Sequence, residues 1–205
     1  MPPRHVEMWN RRYGDSDYFY GTEPNDFLAA EIGRLDGRHR VLSVAEGEGR
    51  NAVFMAARGL SVTAVDSSRT GLAKARRLAA ERGVALAAIC ADLGAWVIPA
   101  GRWDGIVSIF CHPEPAIRER LHRGVVAGLR PGGLLLLEAY VPRQLEFGTG
   151  GPPRVELMVD AGILRRELDG LEFLRVQELE REIHEGRGHA GPSAVVQLIA
   201  RKPTD

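Results

Sequence analysis

Short apolar runs and helical stretches alternate along the middle of this chain. The apolar runs are rich in β-branched residues and predict strands, and the stretches between them carry apolar residues at helical spacing. The predicted strands are Arg40–Ala45, Ser61–Val65, Ala85–Cys90, Asp104–Phe110 and Leu134–Tyr140. The predicted helices are Asn51–Arg58, a helix capped by Ser67 or Ser68 and closed by Gly83, and Glu114–Leu129. This alternation indicates βαβ units, which build a mostly parallel sheet with helices on both faces.

The pattern changes after the fifth predicted strand. Two further segments, Phe173–Ile183 and Ala194–Arg201, look extended, and the Gly-rich segment Glu185–Pro192 joins them. Because so short a join makes a hairpin, we expect the last strand to run antiparallel to the others. The sequence therefore predicts an α/β fold with a doubly wound, seven-stranded, mostly parallel sheet whose last strand is antiparallel.

An aromatic-rich segment from Trp9 to Phe27 precedes the first strand, and a short helix follows it to about Leu35. We expect a single domain in which residues 1–35 form a cap and helix and residues 36–205 form the α/β core. The rings of the segment could cover a bound cation as a lid, or they could simply dock onto the sheet. The sequence leaves both possibilities open.

Composition narrows the class of protein. The 205 residues fit one domain, and 44% hydrophobic with 26% charged residues is typical of a globular chain. The 27 basic residues balance 27 acidic ones, so there is no net basic field to hold a nucleic acid or an anionic membrane. Two cysteines are too few for a disulfide framework. The cysteines and histidines together do not have the spacing of metal ligands. We expect a soluble cytoplasmic protein, monomeric or homodimeric, with no metal, no nucleic acid and no membrane as a partner.

The most informative stretch follows the first predicted strand. Gly47 and Gly49 lie between that strand and a helix, where the missing Cβ lets backbone approach a ligand closely. Asp66 lies nineteen residues after Gly47, at the end of the second strand. In doubly wound sheets, a carboxylate at this position binds ribose hydroxyls. Because Gly47–Ala52 fits Gly-x-Gly-x-x-Ala, a nicotinamide dinucleotide-dependent oxidoreductase is a rival interpretation. The short chain and the lack of a Tyr-x-x-x-Lys pair count against that rival.

Two further motifs complete a recognisable pattern: Asp92-Leu93 follows the third strand, and Leu129-Arg-Pro-Gly-Gly133 precedes the fifth. Over residues 40–140 the chain resembles the class I S-adenosylmethionine-dependent methyltransferases. The resemblance implies that S-adenosylmethionine is the cofactor, with its methionine part on the loop Ala45–Gly49, its ribose on Asp66 and its adenine beside Asp92-Leu93. The cofactor-binding residues predicted in this way are Ala45, Glu46, Gly47, Gly49, Arg50, Asn51, Asp66, Ser67, Asp92, Leu93, Phe110 and Trp9.

Within that family the chain looks most like the small tellurite-resistance and thiopurine-type methyltransferases. The match is carried by Trp9–Tyr13, Tyr20–Asn25 and Gly47–Asn51. In the first strand, Ser43 and Ala45 depart from the family's usual acidic residue and first glycine, so Glu46 or Glu48 could supply the carboxylate that orders the loop. The resemblance implies methyl transfer to a small-molecule nucleophile such as a thiol or a metalloid oxyanion. The alternative is a non-catalytic module that only binds adenosyl ligands.

The candidate acceptor residues come from segments predicted to reach the carboxyl end of the sheet. An antiparallel last strand places the hairpin turn there, beside the end of the fourth strand. A solvated turn without a role is the competing interpretation. No catalytic residue is identified outright, and the candidate bases are His184, His189 and His112. The candidate substrate contacts are Tyr20, Cys111, Tyr140 and Arg187.

Overall fold

The computed structural model, which describes residues 3–204, has a seven-stranded sheet at its centre. The strands are β1 (Arg40–Val44), β2 (Ser61–Asp66), β3 (Ala87–Cys90), β4 (Trp103–Ile109), β5 (Leu129–Tyr140), β6 (Glu172–Glu185) and β7 (His189–Arg201). Their spatial order is β3-β2-β1-β4-β5-β7-β6. Strands β1 to β5 pair in parallel, and β7 is antiparallel to both β5 and β6. The predicted doubly wound, mostly parallel sheet with an antiparallel last strand is therefore confirmed.

Helices cover both faces of this sheet. They are α1 (Arg4–Arg12), α2 (Asp26–Glu31), α3 (Arg50–Ala57), α4 (Arg69–Glu81), α5 (Pro115–Gly128) and α6 (Ala161–Glu167). Short 3₁₀ helices span Ile32–Leu35, Pro142–Glu146 and Val155–Leu157. Because successive strand residues point to opposite faces, Leu135 and Leu137 of β5 join the apolar cluster of α5 and α6, whereas Leu134 and Leu136 join that of α2, α3 and α4. Within residues 3–204, no helix is both long enough and apolar enough to cross a membrane.

The largest differences from the predicted strand boundaries lie at the hairpin and at the start of β5, whereas the other strand ends differ by no more than two residues. Strand β6 continues to Glu185 and β7 begins at His189, so the turn consists only of residues 186–188. Strand β5 begins at Leu129, where it pairs with Trp103, instead of at Leu134, and its register with β4 shifts between these two points. In both places glycine and proline weaken the strand signal in the sequence.

The end of the sheet at which β1 and β4 finish is the natural place for a ligand. The strand order reverses between β1 and β4, and open α/β sheets bind ligands outside the carboxyl ends of their strands at such a reversal. Ala45 directly follows β1 and Phe110 directly follows β4. Both have φ of 52°, and no other non-glycine residue in the described part of the chain has a positive φ. Strained backbone of this kind clusters at functional sites.

Candidate functional site

Asp66 joins the carboxyl ends of β1 and β2. Its Oδ2 accepts the N–H of Gly47 at 2.9 Å, and its Oδ1 accepts the N–H of Ser68 at 2.7 Å. Burial raises the pKa of Asp66, and these backbone bonds act in the opposite direction. Since a carboxylate has about four lone-pair positions, two remain for ligand hydroxyls. Asp66 therefore fixes the glycine loop and still has the capacity to bind a ligand with adjacent hydroxyl groups.

The two glycines of the loop are required for different reasons. Gly47 and Gly49 have φ of 63° and 96°, which other residues rarely adopt. A Cβ on Gly49 would lie 2.6 Å from the Cβ of Ala75, so this glycine allows α3 to pack closely on α4. A Cβ on Gly47 would lie 2.7 Å from the hydroxyl oxygen of Tyr13. Gly47 is thus the glycine that faces the crevice.

Glu46 and Glu48, the two carboxylates expected to order this loop, act on different segments. Oε1 of Glu46 accepts the N–H of Ala52 at 2.8 Å, and the Ser43 hydroxyl donates to the other oxygen. Glu46 therefore ties the loop to the first turn of α3. Glu48 bonds the Nζ of Lys74 at 2.7 Å and accepts the N–H of Phe19 at 2.7 Å, so it holds the N-terminal segment against α4.

Replacing Glu46 by glutamine is expected to stabilise the protein above pH 7, by up to about 3 kcal/mol. Burial raises the pKa of Glu46 from 4.5 to about 7, so folding favours the protonated carboxyl. The stability linked to that proton is present below about pH 4.5 and is lost as the pH rises through 7. Glutamine is neutral at every pH and can still accept from Ala52 and donate to Ser43.

The measurement is the free energy of unfolding in urea at pH 5 and pH 8. The gain should be small at pH 5 and should reach its full size at pH 8. A gain of the same size at both pH values, or a loss at pH 8, would show that Glu46 is not a buried acid of this kind.

Helix α1 lies across the glycine-loop side of the crevice and is anchored there by polar contacts. The Oδ1 of Asn10 accepts the Ser68 hydroxyl at 2.8 Å and the Thr70 N–H at 3.2 Å, at the N-terminus of α4. The Nε2 of His5 lies 3.6 Å from Oδ2 of Asp92, which follows β3. The helix therefore spans from the end of β3 to the end of β2, over the side chains that the sequence assigned to a ligand.

Trp9 and Tyr13 form the aromatic part of this cover. Their rings stack with centroids 5.5 Å apart, and Tyr13 is 5% exposed with its hydroxyl against Gly47. The sequence prediction named Trp9 as a cofactor contact, placed Tyr13 in the aromatic segment without assigning it a contact, and gave Asn10 no role of its own. The spacing of four residues, which puts Trp9 and Tyr13 on one helical face, is the signal that would have joined Tyr13 to Trp9.

A second group of side chains, the aromatic cluster, lies at the carboxyl ends of β4 and β5 and consists of Tyr20, Phe110, Tyr140 and His189. The His189 ring centroid lies 4.5 Å from that of Tyr20, 4.6 Å from Phe110 and 5.4 Å from Tyr140. Phe110 and Tyr140 stack at 4.6 Å. Four chain-distant segments therefore bring their rings together. One of these rings belongs to Phe110, the strained residue that directly follows β4.

The tip of the β6–β7 hairpin closes over the aromatic cluster by contacting the N-terminal segment. The N–H of Arg187 donates to the carbonyl of Phe19 at 2.8 Å. A Cβ on Gly186 would lie 2.4 Å from that same carbonyl oxygen, and one on Gly188 would lie 2.3 Å from the ring of Tyr20. Gly186 thus allows backbone-to-backbone contact, and Gly188 lets the turn lie against the ring of Tyr20, so the hairpin tip packs directly on the cluster.

The carboxylate of Glu185 is the polar centre beneath the aromatic cluster. It accepts from the Nη2 of Arg50 at 2.6 Å and the Nδ2 of Asn25 at 2.8 Å, and it lies 3.2 Å from the Nδ1 of His189. Burial would raise the pKa of Glu185, but His189 and Arg50 outweigh it and lower the pKa to about 2. Glu185 is therefore ionised and holds His189 in one orientation.

Glu138 of β5, which is fully buried, continues this polar network. It accepts from Arg181 Nη2 at 2.7 Å, from Asn25 Nδ2 at 2.8 Å and from Gln197 Nε2 at 2.6 Å. Asn25 bonds both Glu138 and Glu185, so the two buried carboxylates share one donor. The network ties α2 to the last three strands.

His112 and Cys111, which follow β4, are poor candidates for a chemical role. The Nδ1 of His112 bonds the carbonyl of Leu157 at 3.0 Å, and its Nε2 accepts the N–H of Tyr140 at 3.3 Å. Burial lowers the pKa of His112 to about 4, so the ring is neutral with both nitrogens occupied. Burial also raises the pKa of Cys111 to about 12, which keeps it a thiol.

Two of the candidate acceptor residues lie apart from the aromatic cluster. His184 is exposed on β6, since its neighbours Ile183 and Glu185 take the buried positions of the strand. The guanidinium of Arg187 lies on the outer surface, where its Nη2 is 3.1 Å from Oδ2 of Asp15. Neither side chain is among the groups that surround His189.

The remaining predicted cofactor contacts lie around the glycine loop. Asn51 accepts the N–H of Asn25 at 2.9 Å through its Oδ1, so it supports the start of α2. Ser67 is half-buried directly after Asp66, and Leu93 packs against the apolar cluster beneath α5. Contact of Asn51, Ser67 and Leu93 with a cofactor therefore stays a prediction.

Residues 41–133, a little under half of the chain, match the model of a family described as a methyltransferase domain. This segment runs from β1 into β5 and contains the glycine loop, Asp66 and Asp92. No curated protein matches the sequence.

Solved structures resemble the chain over nearly its whole length. One of these structures comes from work on the conversion of a disulfide bond into a thioacetal group during echinomycin biosynthesis. Its sequence is 18% identical to this chain, and the TM-score is 0.80 over 98% of this chain and 93% of that one. The N-methyltransferase NodS from Bradyrhizobium japonicum WM9, in complex with S-adenosyl-L-homocysteine, is 14% identical, with a TM-score of 0.71 over 98% of this chain and 100% of that one. TehB from Haemophilus influenzae is 18% identical, with a TM-score of 0.69 over 96% of this chain and 66% of that one. At these identities the likeness establishes the fold.

Proposed function

We propose that this chain, in which residues 41–133 match a methyltransferase domain and the fold is that of solved methyltransferases, is an S-adenosylmethionine-dependent methyltransferase that methylates a small-molecule nucleophile, such as a thiol, a metalloid oxyanion or a similar group. The observation that carries the proposal is the aromatic cluster beside the strained end of β4, closed from above by the hairpin tip and the N-terminal segment. An enclosure built from single aromatic rings suits a small acceptor better than a polymer.

We assign the glycine-loop side of the crevice to the cofactor. Asp66 has lone pairs free for the ribose hydroxyls, Gly47 lies on the loop expected to hold the methionine part and is covered by the hydroxyl of Tyr13, and Asp92 with Leu93 lies where the adenine is expected. When bound there, S-adenosylmethionine supplies a methyl group activated by a positively charged sulfur. The cover formed by Trp9 and Tyr13 then provides aromatic faces, which attract cations through their ring quadrupoles.

The contribution of the protein to methyl transfer is mainly positioning. A well-oriented pair of reactants gains about 7–11 kcal/mol over free collision when the attacking atom is held near contact distance. The partly exposed rings of Tyr20 and Phe110 offer apolar surface to an acceptor beside the fully buried Tyr140, and helix α1 with the hairpin tip keeps water out. This arrangement accounts for the aromatic lining of a site that has few charged groups of its own.

The proposal is tested by calorimetry and by an acceptor panel. S-adenosylmethionine and S-adenosylhomocysteine should bind, and NAD should not. Thiols, phenols, amines, selenite and tellurite are then incubated with S-adenosylmethionine, and methylated products are sought by mass spectrometry. Methylation of nucleic acid or protein substrates in parallel reactions, with no product from the small-molecule panel, would contradict a small acceptor. Tight cofactor binding with no product in any reaction would favour the binding-module alternative.

A further inference from the structure

We infer that His189 is the general base of this methyltransferase, that Glu185 positions it, and that the acceptor arrives as an uncharged O–H or S–H nucleophile on a flat apolar body. The inference rests on the proposed function and narrows its acceptor class. It excludes the metalloid oxyanions, which attack without losing a proton.

The first ground is the geometry of the pair. Glu185 and His189 stand directly opposite each other where β6 and β7 meet the turn, and Oε2 of Glu185 lies 3.2 Å from Nδ1 of His189. Because an ionised carboxylate only accepts hydrogen bonds, Nδ1 carries the proton and Nε2 keeps its lone pair. Within residues 3–204 no group hydrogen-bonds Nε2, and His189 remains 7% exposed. The nitrogen that can take a proton is therefore oriented and free.

The second ground is the protonation state of His189. Burial lowers the pKa of His189, and Glu185 opposes that change without reversing it. The ring is therefore neutral near pH 7, as a base must be. The charged and titratable groups around it come from five elements or segments; they are Glu185 of β6, Arg50 of α3, Glu138 and Tyr140 of β5, Tyr20 of the N-terminal segment and His112 after β4.

The third ground is the charge balance of the aromatic cluster. Arg50 is paired with Glu185, Arg181 is paired with Glu138, and the guanidinium of Arg187 lies outside the cluster. Arg12, which pairs with no carboxylate among the described residues, donates to the Tyr20 hydroxyl at 3.3 Å from the exposed edge of the cluster. Each buried guanidinium at the cluster is thus already paired with a carboxylate, and a buried oxyanion without a cation of its own is costly. An uncharged acceptor avoids that cost, and the rings of Tyr20, Phe110 and Tyr140 favour one with a flat body.

Tyr140 supplies a polar contact for such an acceptor. Its hydroxyl is buried without a hydrogen-bond partner of good geometry among the described residues, although the Ser193 hydroxyl lies close enough to lower its pKa. A buried hydroxyl without a partner is costly, and the structure is improved when a ligand satisfies it. The acceptor's reacting oxygen or a second polar group can make that bond.

The chemical step balances with these groups. The acceptor heteroatom forms a bond to the transferred methyl carbon while the bond from that carbon to the donor sulfur breaks, and its electron pair stays on sulfur. The proton of the acceptor passes to Nε2 of His189. The resulting imidazolium is stabilised by the carboxylate of Glu185 and returns the proton to solvent when the product leaves.

The test begins with a measurement that needs no acceptor. The ¹⁵N NMR shifts of the histidine rings, assigned with His189→Gln, report the tautomer and protonation state of His189 in the free protein and with S-adenosylhomocysteine. We expect a neutral ring with the proton on Nδ1 at pH 7.5, and a mixture of tautomers in Glu185→Gln. A charged ring at pH 7.5, or a proton fixed on Nε2, would overturn the inference.

The second measurement is turnover with benzyl thiols and catechols, which keep their protons near pH 7.5, as protic probes and with selenite and tellurite as oxyanion probes. For the protic probes, His189→Gln should lower kcat about 10²- to 10⁴-fold and remove the fall in kcat at acidic pH. Its affinity for S-adenosylhomocysteine and its circular dichroism spectrum should stay unchanged. The control is His184→Gln, an exposed histidine of the same hairpin, for which kcat should change less than twofold.

The outcomes separate this inference from the proposed function. If His189→Gln methylates the protic probes as fast as the parent protein, or if only selenite and tellurite are methylated, the base is excluded and the methyltransferase proposal stands. If the parent protein binds neither adenosyl ligand, the proposed function itself fails. If no probe is methylated, the NMR result alone decides whether His189 has the form of a base.

Discussion

The substitution Glu138→Ala is expected to lower the free energy of unfolding by about 3–5 kcal/mol, because it removes one partner of a buried ion pair and leaves the other unpaired. The fully buried carboxylate accepts from Arg181, Asn25 and Gln197 at 2.6–2.8 Å. Without it, the guanidinium of Arg181 keeps a contact of 3.8 Å to Glu185, the exposed carboxylate of Asp26 and the carbonyl of Glu182. Urea unfolding followed by circular dichroism measures the loss.

The matched control is Glu172→Ala on the same sheet. Glu172 also pairs with an arginine, Arg201, at 2.7 Å, but about half of each side chain is exposed. Exposed pairs contribute about 0–1 kcal/mol, so this variant should be nearly as stable as the parent. If Glu138→Ala lost no more stability than Glu172→Ala, the network around Asn25 would not be the link between α2 and the last strands that the structure indicates.

The second large effect is expected at Asp66. Asp66→Ala should weaken the binding of S-adenosylhomocysteine at least 100-fold, which is about 3 kcal/mol. The N–H groups of Gly47 and Ser68 lose a charged acceptor, so the glycine loop loses its fixed position. The proposed bonds to the ribose hydroxyls are lost at the same time, and hydrogen bonds to charged groups contribute about 1.5–3 kcal/mol each. Isothermal titration calorimetry gives the affinity.

Asp160→Ala controls for the general effect of removing an aspartate that caps a helix. Asp160 accepts the N–H of Ile163 at 2.6 Å at the start of α6. Loss of this cap should cost about 1 kcal/mol of stability and leave the affinity for S-adenosylhomocysteine within twofold. An affinity within threefold of the parent for Asp66→Ala would remove Asp66 from the cofactor site.

The architecture could be predicted because its signals are local. Each strand from β1 to β4 coincides with a run of apolar residues, and Ser68 and Gly83 mark the ends of α4 as capping rules require. Residues on the glycine-loop side follow the same logic, since Gly47, Asp66 and Asp92 all lie at the end of a strand or within three residues of it. Their positions at one edge of the sheet follow from parallel pairing alone.

The contacts beneath the aromatic cluster could not be predicted in this way. Asn25 bonds Glu138 and Glu185, which are 113 and 160 residues away in the chain, and no local pattern records such a pairing. The choice between His184 and His189 depends on the register of the hairpin, because a shift by one residue turns every side chain to the other face. The Gly-rich turn conceals that register in the sequence, so only the structure shows which histidine faces Glu185.

The insertion of β7 between β5 and β6 also sets an order of assembly during synthesis. Strand β6 leaves the ribosome before β7, yet β7 is its only sheet neighbour within residues 3–204. Until β7 emerges, β6 has no place in the sheet, and the apolar edge of β5 is open to unwanted pairing with other chains. The hairpin must then dock as a unit against strands made much earlier, and such long-range pairing is a slow step in folding. Glu185 and His189 therefore meet their partners last, so a nascent chain has its glycine loop in place well before it can complete the aromatic cluster.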